Sequence, residues 1–136
     1  MKKTPFYEIH KKLGAKIVEF AGFYMPIQYE GIISEHKKVR ESVGVFDVTH
    51  MGEIEIRGKN ALNFIQKITT NDASKLVEGK VQYSSMCYSD GGIVDDLLVY
   101  HCGSYYMLVV NASNKDKDFN WMLDNKIDDV EIIDKS

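Results

Sequence analysis

Three apolar segments with very short connections constrain the fold more than any other feature. They span residues 81–88, 93–101 and 105–111, and the connections "SDGG" and "CGS" join them. Glycine next to small polar residues suits the tight turns of β-hairpins. The segments therefore predict three consecutive antiparallel strands.

Helical and strand patterns flank these strands on both sides. Residues 51–58 alternate apolar and charged side chains, as a strand does, and 130–134 predicts a last strand. Residues 60–69 and 113–126 have the apolar spacing of helices. The resulting order, β-α-β-β-β-α-β, predicts an α+β fold: a ferredoxin-like split βαβ unit with one extra strand.

The first 50 residues do not fit into this unit and predict an N-terminal α/β arm. Its predicted elements are a helix from Thr4 to about Leu13, a strand at 15–20, an aromatic loop at 21–31 and a helix at 32–43. We therefore divide the chain into 1–50, an arm of a first, incomplete domain, and 51–136, an incomplete ferredoxin-like unit.

Composition excludes several functional classes. The 136 residues are 44% hydrophobic, and the net charge is −3. The chain therefore lacks the excess of basic residues that a nucleic-acid-binding protein carries. No apolar run approaches the roughly 20 residues of a membrane helix, and the first residues do not resemble a secretory signal. Neither cysteines nor histidines have metal-ligand spacing. We expect a cytoplasmic protein with reduced thiols and no metal, nucleic acid or membrane partner.

Two adjacent carboxylates, Asp95 and Asp96, lie in the middle of an apolar strand. Side chains alternate along a strand, so we expect the two to lie on opposite faces. The expected neighbours are Ile93, Leu97 and Val99 for Asp95, and Val94, Leu98 and Tyr100 for Asp96. A carboxylate on an apolar face must find donors, take up a proton or border a cavity. The pattern alone does not decide which aspartate is functional, and accepting backbone N–H groups is the structural alternative for either.

Four further residues occupy suggestive positions, each with a structural alternative. Tyr83 and Tyr100 lie on neighbouring predicted strands, where core packing would also explain them. Asn111 ends a strand just before a helix, where capping would also explain it. Met51 has the spacing of a core residue. The chain has no phosphate-binding glycine loop and no nucleophile signature.

Several longer motifs occur in a fixed order along the chain. They are "TPFYEIHKKLGAKIVEFAGFYMPIQYEGI", "EHKKVRESVGVFDVTHMGEIEIRG", "ITTND", "GKVQYSSMC", "GGIVDDLLVY", "VVNASN" and "KDFNW". Together they resemble the N-terminal part of the glycine cleavage system T protein family, the aminomethyltransferases. The resemblance extends over essentially the whole chain.

The resemblance implies a folate-binding aminomethyltransferase fold and a tetrahydrofolate-dependent enzyme. The family transfers a one-carbon unit from the aminomethyl-lipoyl arm of the H protein to tetrahydrofolate and releases ammonia. Its essential aspartate matches Asp96, and Met51, Tyr83, Tyr100 and Asn111 match positions around the folate cavity. Lipoylated H protein is the implied partner, and Asp95 is left with a structural role.

Family members are more than twice as long, so the resemblance covers only their N-terminal part. We expect the chain alone to be inactive, and its exposed strand edges or apolar surfaces to cause self-association. The alternatives are a non-catalytic folate-binding module, an inert truncated fragment, or an enzyme whose remaining part is a separate chain.

Overall fold

The computed structural model describes residues 1–136. The chain forms two compact units, Met1–His50 and Met51–Ser136. The elements of the first unit are β1 (Lys2–Lys3), α1 (Tyr7–Lys12), β2 (Lys16–Phe20), β3 (Phe23–Gln28) and α2 (Ile32–Glu41). Those of the second are β4 (Gly52–Arg57), α3 (Ala61–Ile68), β5 (Val81–Cys87), β6 (Ile93–His101), β7 (Tyr106–Val110), α4 (Lys115–Asp124) and β8 (Glu131–Asp134). None of these helices has both the length and the apolar character needed to cross a membrane.

The first unit contains a three-stranded sheet in the order β1-β3-β2. The prediction of a loop at 21–31 was wrong, because β3 occupies most of it despite Pro26. Strand β1 pairs only with Phe23 and Tyr24, so β3 has a single neighbouring strand at Pro26. A missing backbone N–H is tolerated at such an edge.

The second unit contains a five-stranded sheet in the order β5-β6-β7-β4-β8, in which all neighbours are antiparallel. Strands β7 and β8 are joined through α4, and β4 lies between them, which is a split βαβ arrangement. Strand β5 is the extra strand at one edge. The predicted α+β, ferredoxin-like class is therefore confirmed.

Helices α3 and α4 cover one face of this sheet. Strand β4 contributes Ile54 and Ile56 to the buried core, and the helices contribute Phe64, Ile65 and Met122. Burying side chains of this size stabilises a fold by about 1.5–3 kcal/mol each. The core therefore distinguishes an inner, helix-covered sheet face from an outer face that carries the alternate residues of each strand.

A β-bulge breaks the alternation of side chains at the start of β6. Met86 pairs with Asp95 whereas Cys87 pairs with Ile93, so Val94 is an extra residue. Val94 is 3% exposed and packs in the core, and Ile93 is 69% exposed. The predicted faces of Ile93 and Val94 were therefore wrong. From Asp95 onward the alternation is as predicted.

Candidate functional site

The side-chain amide of Asn111 joins the two strand carboxylates. Leu97 pairs with Val110, which brings Asn111 beside Asp96 at the end of β7. Its Nδ2 donates to Asp96 Oδ1 at 2.9 Å and to Asp95 Oδ1 at 3.1 Å. Both amide hydrogens are thereby used, so the Asn111 carbonyl oxygen is the part of this side chain available to a ligand donor.

A second donor reaches Asp96 from the edge strand. Tyr83 pairs with Leu98 and is therefore a diagonal neighbour of Asp96. Its hydroxyl donates to Asp96 Oδ2 at 2.8 Å. The hydrogen bond to Asp96, and the negative charge of that carboxylate, raise the pKa of Tyr83 and keep the hydroxyl protonated. Tyr83 is 63% exposed, so this pair is accessible from the outer sheet face.

The other two predicted site residues lie farther along the sheet. Tyr100 shares the outer face with Asp96 but is four residues away, about 13 Å along the strand. Met51 directly precedes β4, whose first residue Gly52 pairs with Val110, and so it lies near the Asn111 end of the sheet. The structure thus brings Tyr83, Asp96 and Asn111 into direct contact, with Met51 and Tyr100 in flanking positions.

Asp95 lies on the inner face, where its carboxyl group is a neighbour of the Asp118 carboxyl group of α4. Asp118 is 0% exposed. Burial, followed by the hydrogen bond and charge of Asp95, raises the pKa of Asp118 to about 7. Burial also opposes the charge of Asp95, but the neighbouring polar groups of Asp118, Asn111 and Asn114 outweigh it and lower the pKa of Asp95.

Asp118 is the residue of this network that the sequence analysis missed. It lies four residues before the buried Met122, so the helical period places it on the inner stripe of α4. A carboxylate in the apolar stripe of a predicted helix was the signal that could have identified it. No group of three or more His, Cys, Asp or Glu side chains is arranged to hold a metal ion.

The second unit is thus an α+β domain that presents a doubly hydrogen-bonded carboxylate on an accessible sheet face. Residues 6–136 match the family model described as the GCVT N-terminal domain, and the chain belongs to this family.

Three relatives called aminomethyltransferase support this assignment. The protein of Chloroherpeton thalassium is 57% identical over 98% of this chain and 37% of its own length. That of Halothermothrix orenii is 56% identical over 100% of this chain and 38% of its own length. That of Flavobacterium psychrophilum is 60% identical over 90% of this chain and 34% of its own length.

A solved structure has the same fold. The crystal structure of glycine cleavage system aminomethyltransferase T from Bartonella henselae matches with a TM-score of 0.87 and 33% identity, over 98% of this chain and 38% of that one. The resemblance and the fold are thus confirmed, and the family is one of enzymes. The chain spans 34–38% of the length of these relatives.

Proposed function

We propose that this chain is the folate-binding N-terminal part of an aminomethyltransferase of the glycine cleavage system. In this proposal the enzyme transfers the one-carbon unit from the aminomethyl-lipoyl arm of the H protein to tetrahydrofolate. The carbon–nitrogen and carbon–sulfur bonds break, and the products are methylene-tetrahydrofolate, ammonia and the dihydrolipoyl arm. The observation that carries the proposal is the Asp96 carboxylate, which is accessible on the outer sheet face with a donor on each oxygen. The aminomethyltransferase names of the relatives support it.

Asp96 has the properties that the transfer step requires. Each carboxylate oxygen uses one acceptor site on Tyr83 or Asn111 and keeps a further one for a ligand N–H. A folate nitrogen held there would be positioned for attack on the aminomethyl carbon. The same negative charge would stabilise positive charge that develops on that carbon as ammonia leaves, and would assist the proton movement.

The remaining site residues have supporting roles in this proposal. Tyr83 and Asn111 orient Asp96, and the free carbonyl oxygen of Asn111 accepts a hydrogen bond from the folate. Met51 and Tyr100 line the folate site on either side of these groups. The rest of the site, and the surface that receives the lipoyl arm, belong to the portion of the relatives that this chain does not span.

Titration of the chain with tetrahydrofolate by calorimetry separates the proposal from its rivals. We expect binding by the unmodified chain, loss of binding in Asp96→Ala, and normal binding in Asp90→Ala, a control aspartate in the exposed turn before β6. When the chain is mixed with aminomethylated H protein and tetrahydrofolate, we expect no release of ammonia. Turnover would show that the missing portion is not needed, whereas absence of folate binding would favour an inert fragment.

A further inference from the structure

Two carboxyl groups meet in the core of the second unit without enough donors for two negative charges. Asp95 Oδ2 and both carboxyl oxygens of Asp118 are buried and receive no hydrogen bond from an amide, hydroxyl or ammonium group. The nearest cation, Lys117 Nζ, is 3.7 Å from Asp118 Oδ1 and donates instead to the Val94 carbonyl. Two ionised carboxylates cannot remain in contact under such conditions, but two that share one proton can.

This pair is connected to Asp96 through one side chain. Asp95 Oδ1 accepts one hydrogen of the Asn111 amide, and Asp96 Oδ1 accepts the other. The two hydrogen bonds therefore run from Asp95 on the inner face, through Asn111, to Asp96 on the outer face of the sheet. They link a buried carboxylate to the proposed reacting carboxylate.

We propose that Asp95 and Asp118 share one proton and serve as positioning residues for Asp96 by fixing the amide of Asn111. The proposal rests on the function proposed for Asp96. With the proton in place, Asp118 donates to Asp95, and Asp95 remains an anion that attracts one Asn111 hydrogen. A flipped Asn111 would direct its carbonyl oxygen at two carboxylates, so only one orientation is stable.

Loss of the shared proton would disturb this arrangement. The groups that face the pair are Asn111 from the end of β7, Asn114 at the start of α4 and Lys117 beside Asp118. Lys117 makes an ion pair with Asp118 at 3.7 Å, but its ammonium group also donates to the Val94 carbonyl, so one cation would offset the repulsion between two negative charges only in part. The Asn111 amide, and with it Asp96, would then be held less firmly.

Nuclear magnetic resonance of the isotope-labelled chain tests the pair without reference to activity. We expect the Asn111 side-chain amide hydrogens to be protected from solvent exchange at about pH 5, and their protection factor to fall about tenfold as the Asp118 carboxyl carbon titrates. Asp118→Asn keeps a donor without a charge, so in this variant the protection of the Asn111 hydrogens should not change with pH. In Asp118→Ala the Asn111 hydrogens should be poorly protected at every pH. Asp116→Asn is the matched control, because Asp116 is an exposed carboxylate on the same helix.

Tetrahydrofolate affinity of the same variants tests the positioning role. Asp118→Asn should bind like the unmodified chain at about pH 5, and about tenfold more tightly than Asp118→Ala. Unprotected Asn111 hydrogens, or Asp118 titrating in the ordinary range of an aspartate, would overturn the inference. If the unmodified chain shows the expected protection but binds no tetrahydrofolate, the proposed function fails and the proton-sharing pair stands. If Asp118→Ala does not fold, the pH dependence of Asn111 protection in the unmodified chain and in Asp118→Asn still decides whether the proton is shared.

Discussion

The Tyr83 hydroxyl donates a hydrogen bond of 2.8 Å to the carboxylate of Asp96 on the neighbouring strand. Tyr83 belongs to β5, the strand that this sheet has in addition to the four of a ferredoxin-like unit. The other carboxylate oxygen of Asp96 accepts a hydrogen bond from the opposite side, from Asn111, which directly follows β7. The extra edge strand therefore supplies the second of the two side-chain hydrogen bonds to the Asp96 carboxylate.

Replacement of each strand aspartate by asparagine should separate chemistry from stability. In a full-length aminomethyltransferase carrying this sequence, we expect Asp96→Asn to lower turnover at least about 100-fold, because it removes the negative charge at the proposed reacting centre. Asp95→Asn should lower the free energy of unfolding, because Asp95 lies on the inner face against α4, and should lower turnover far less than Asp96→Asn, because Asp95 acts on Asp96 only through Asn111. Steady-state kinetics and urea unfolding measure the two effects. Equal, large losses of turnover in two well-folded variants would refute the distinction.

Tyr83→Phe should weaken folate binding with little effect on stability. The change removes one donor to a charged acceptor at an exposed position, and we expect about a fivefold increase in the tetrahydrofolate Kd. The free energy of unfolding should change by less than about 0.5 kcal/mol, because Tyr83 is largely exposed. Tyr88→Phe, just beyond the end of the same strand, is the control. A similar change of Kd in both variants would contradict the assigned role of the Tyr83 hydroxyl.

The stability of the second unit should fall as pH rises from mildly acidic to neutral. The folded state holds the Asp118 proton up to a pKa of about 7, whereas the unfolded chain releases it near 3.8. Between these values the folded state binds more protons, so the free energy of unfolding decreases by up to about 1.4 kcal/mol per pH unit. Asp118→Asn should remove this slope. The single tryptophan, Trp121 on α4, allows urea unfolding to be followed by fluorescence. A slope that persists in Asp118→Asn would assign it to another group.

Two glycines with positive φ should differ in their tolerance of alanine. Gly58 has φ +109°, and a Cβ there would lie 2.1 Å from the carbonyl oxygen of Asp129. Gly91 has φ +87° but no neighbouring atom within 4 Å of that position. We expect Gly91→Ala to cost about 1–2 kcal/mol of backbone strain, and Gly58→Ala about 3 kcal/mol or more. Urea unfolding of both variants provides the comparison, and equal losses would argue against the close approach at Gly58.

Periodicity predicted the elements that carry strong local patterns. The three consecutive strands and the helices at 60–69 and 113–126 all appear in the structure, with ends shifted by a few residues. The predictions failed where a tertiary contact decided the outcome. A strand contains Pro26 because its neighbour there is missing, and a bulge reverses the exposure of Ile93 and Val94. That the first 50 residues belong to a larger domain stays a prediction.

The sequence by itself determined the order of elements, the α+β class and the separation of Asp95 and Asp96 onto opposite faces, because each depends on local periods of two or 3.6 residues. Only the tertiary structure decided which groups meet. Tyr83, Asn111 and Asp118 are 13, 15 and 23 residues away from the aspartates they contact, as sheet register and helix packing dictate. Hydrogen bonding and proton sharing depend on distances of a few ångströms, which no spacing along the chain specifies.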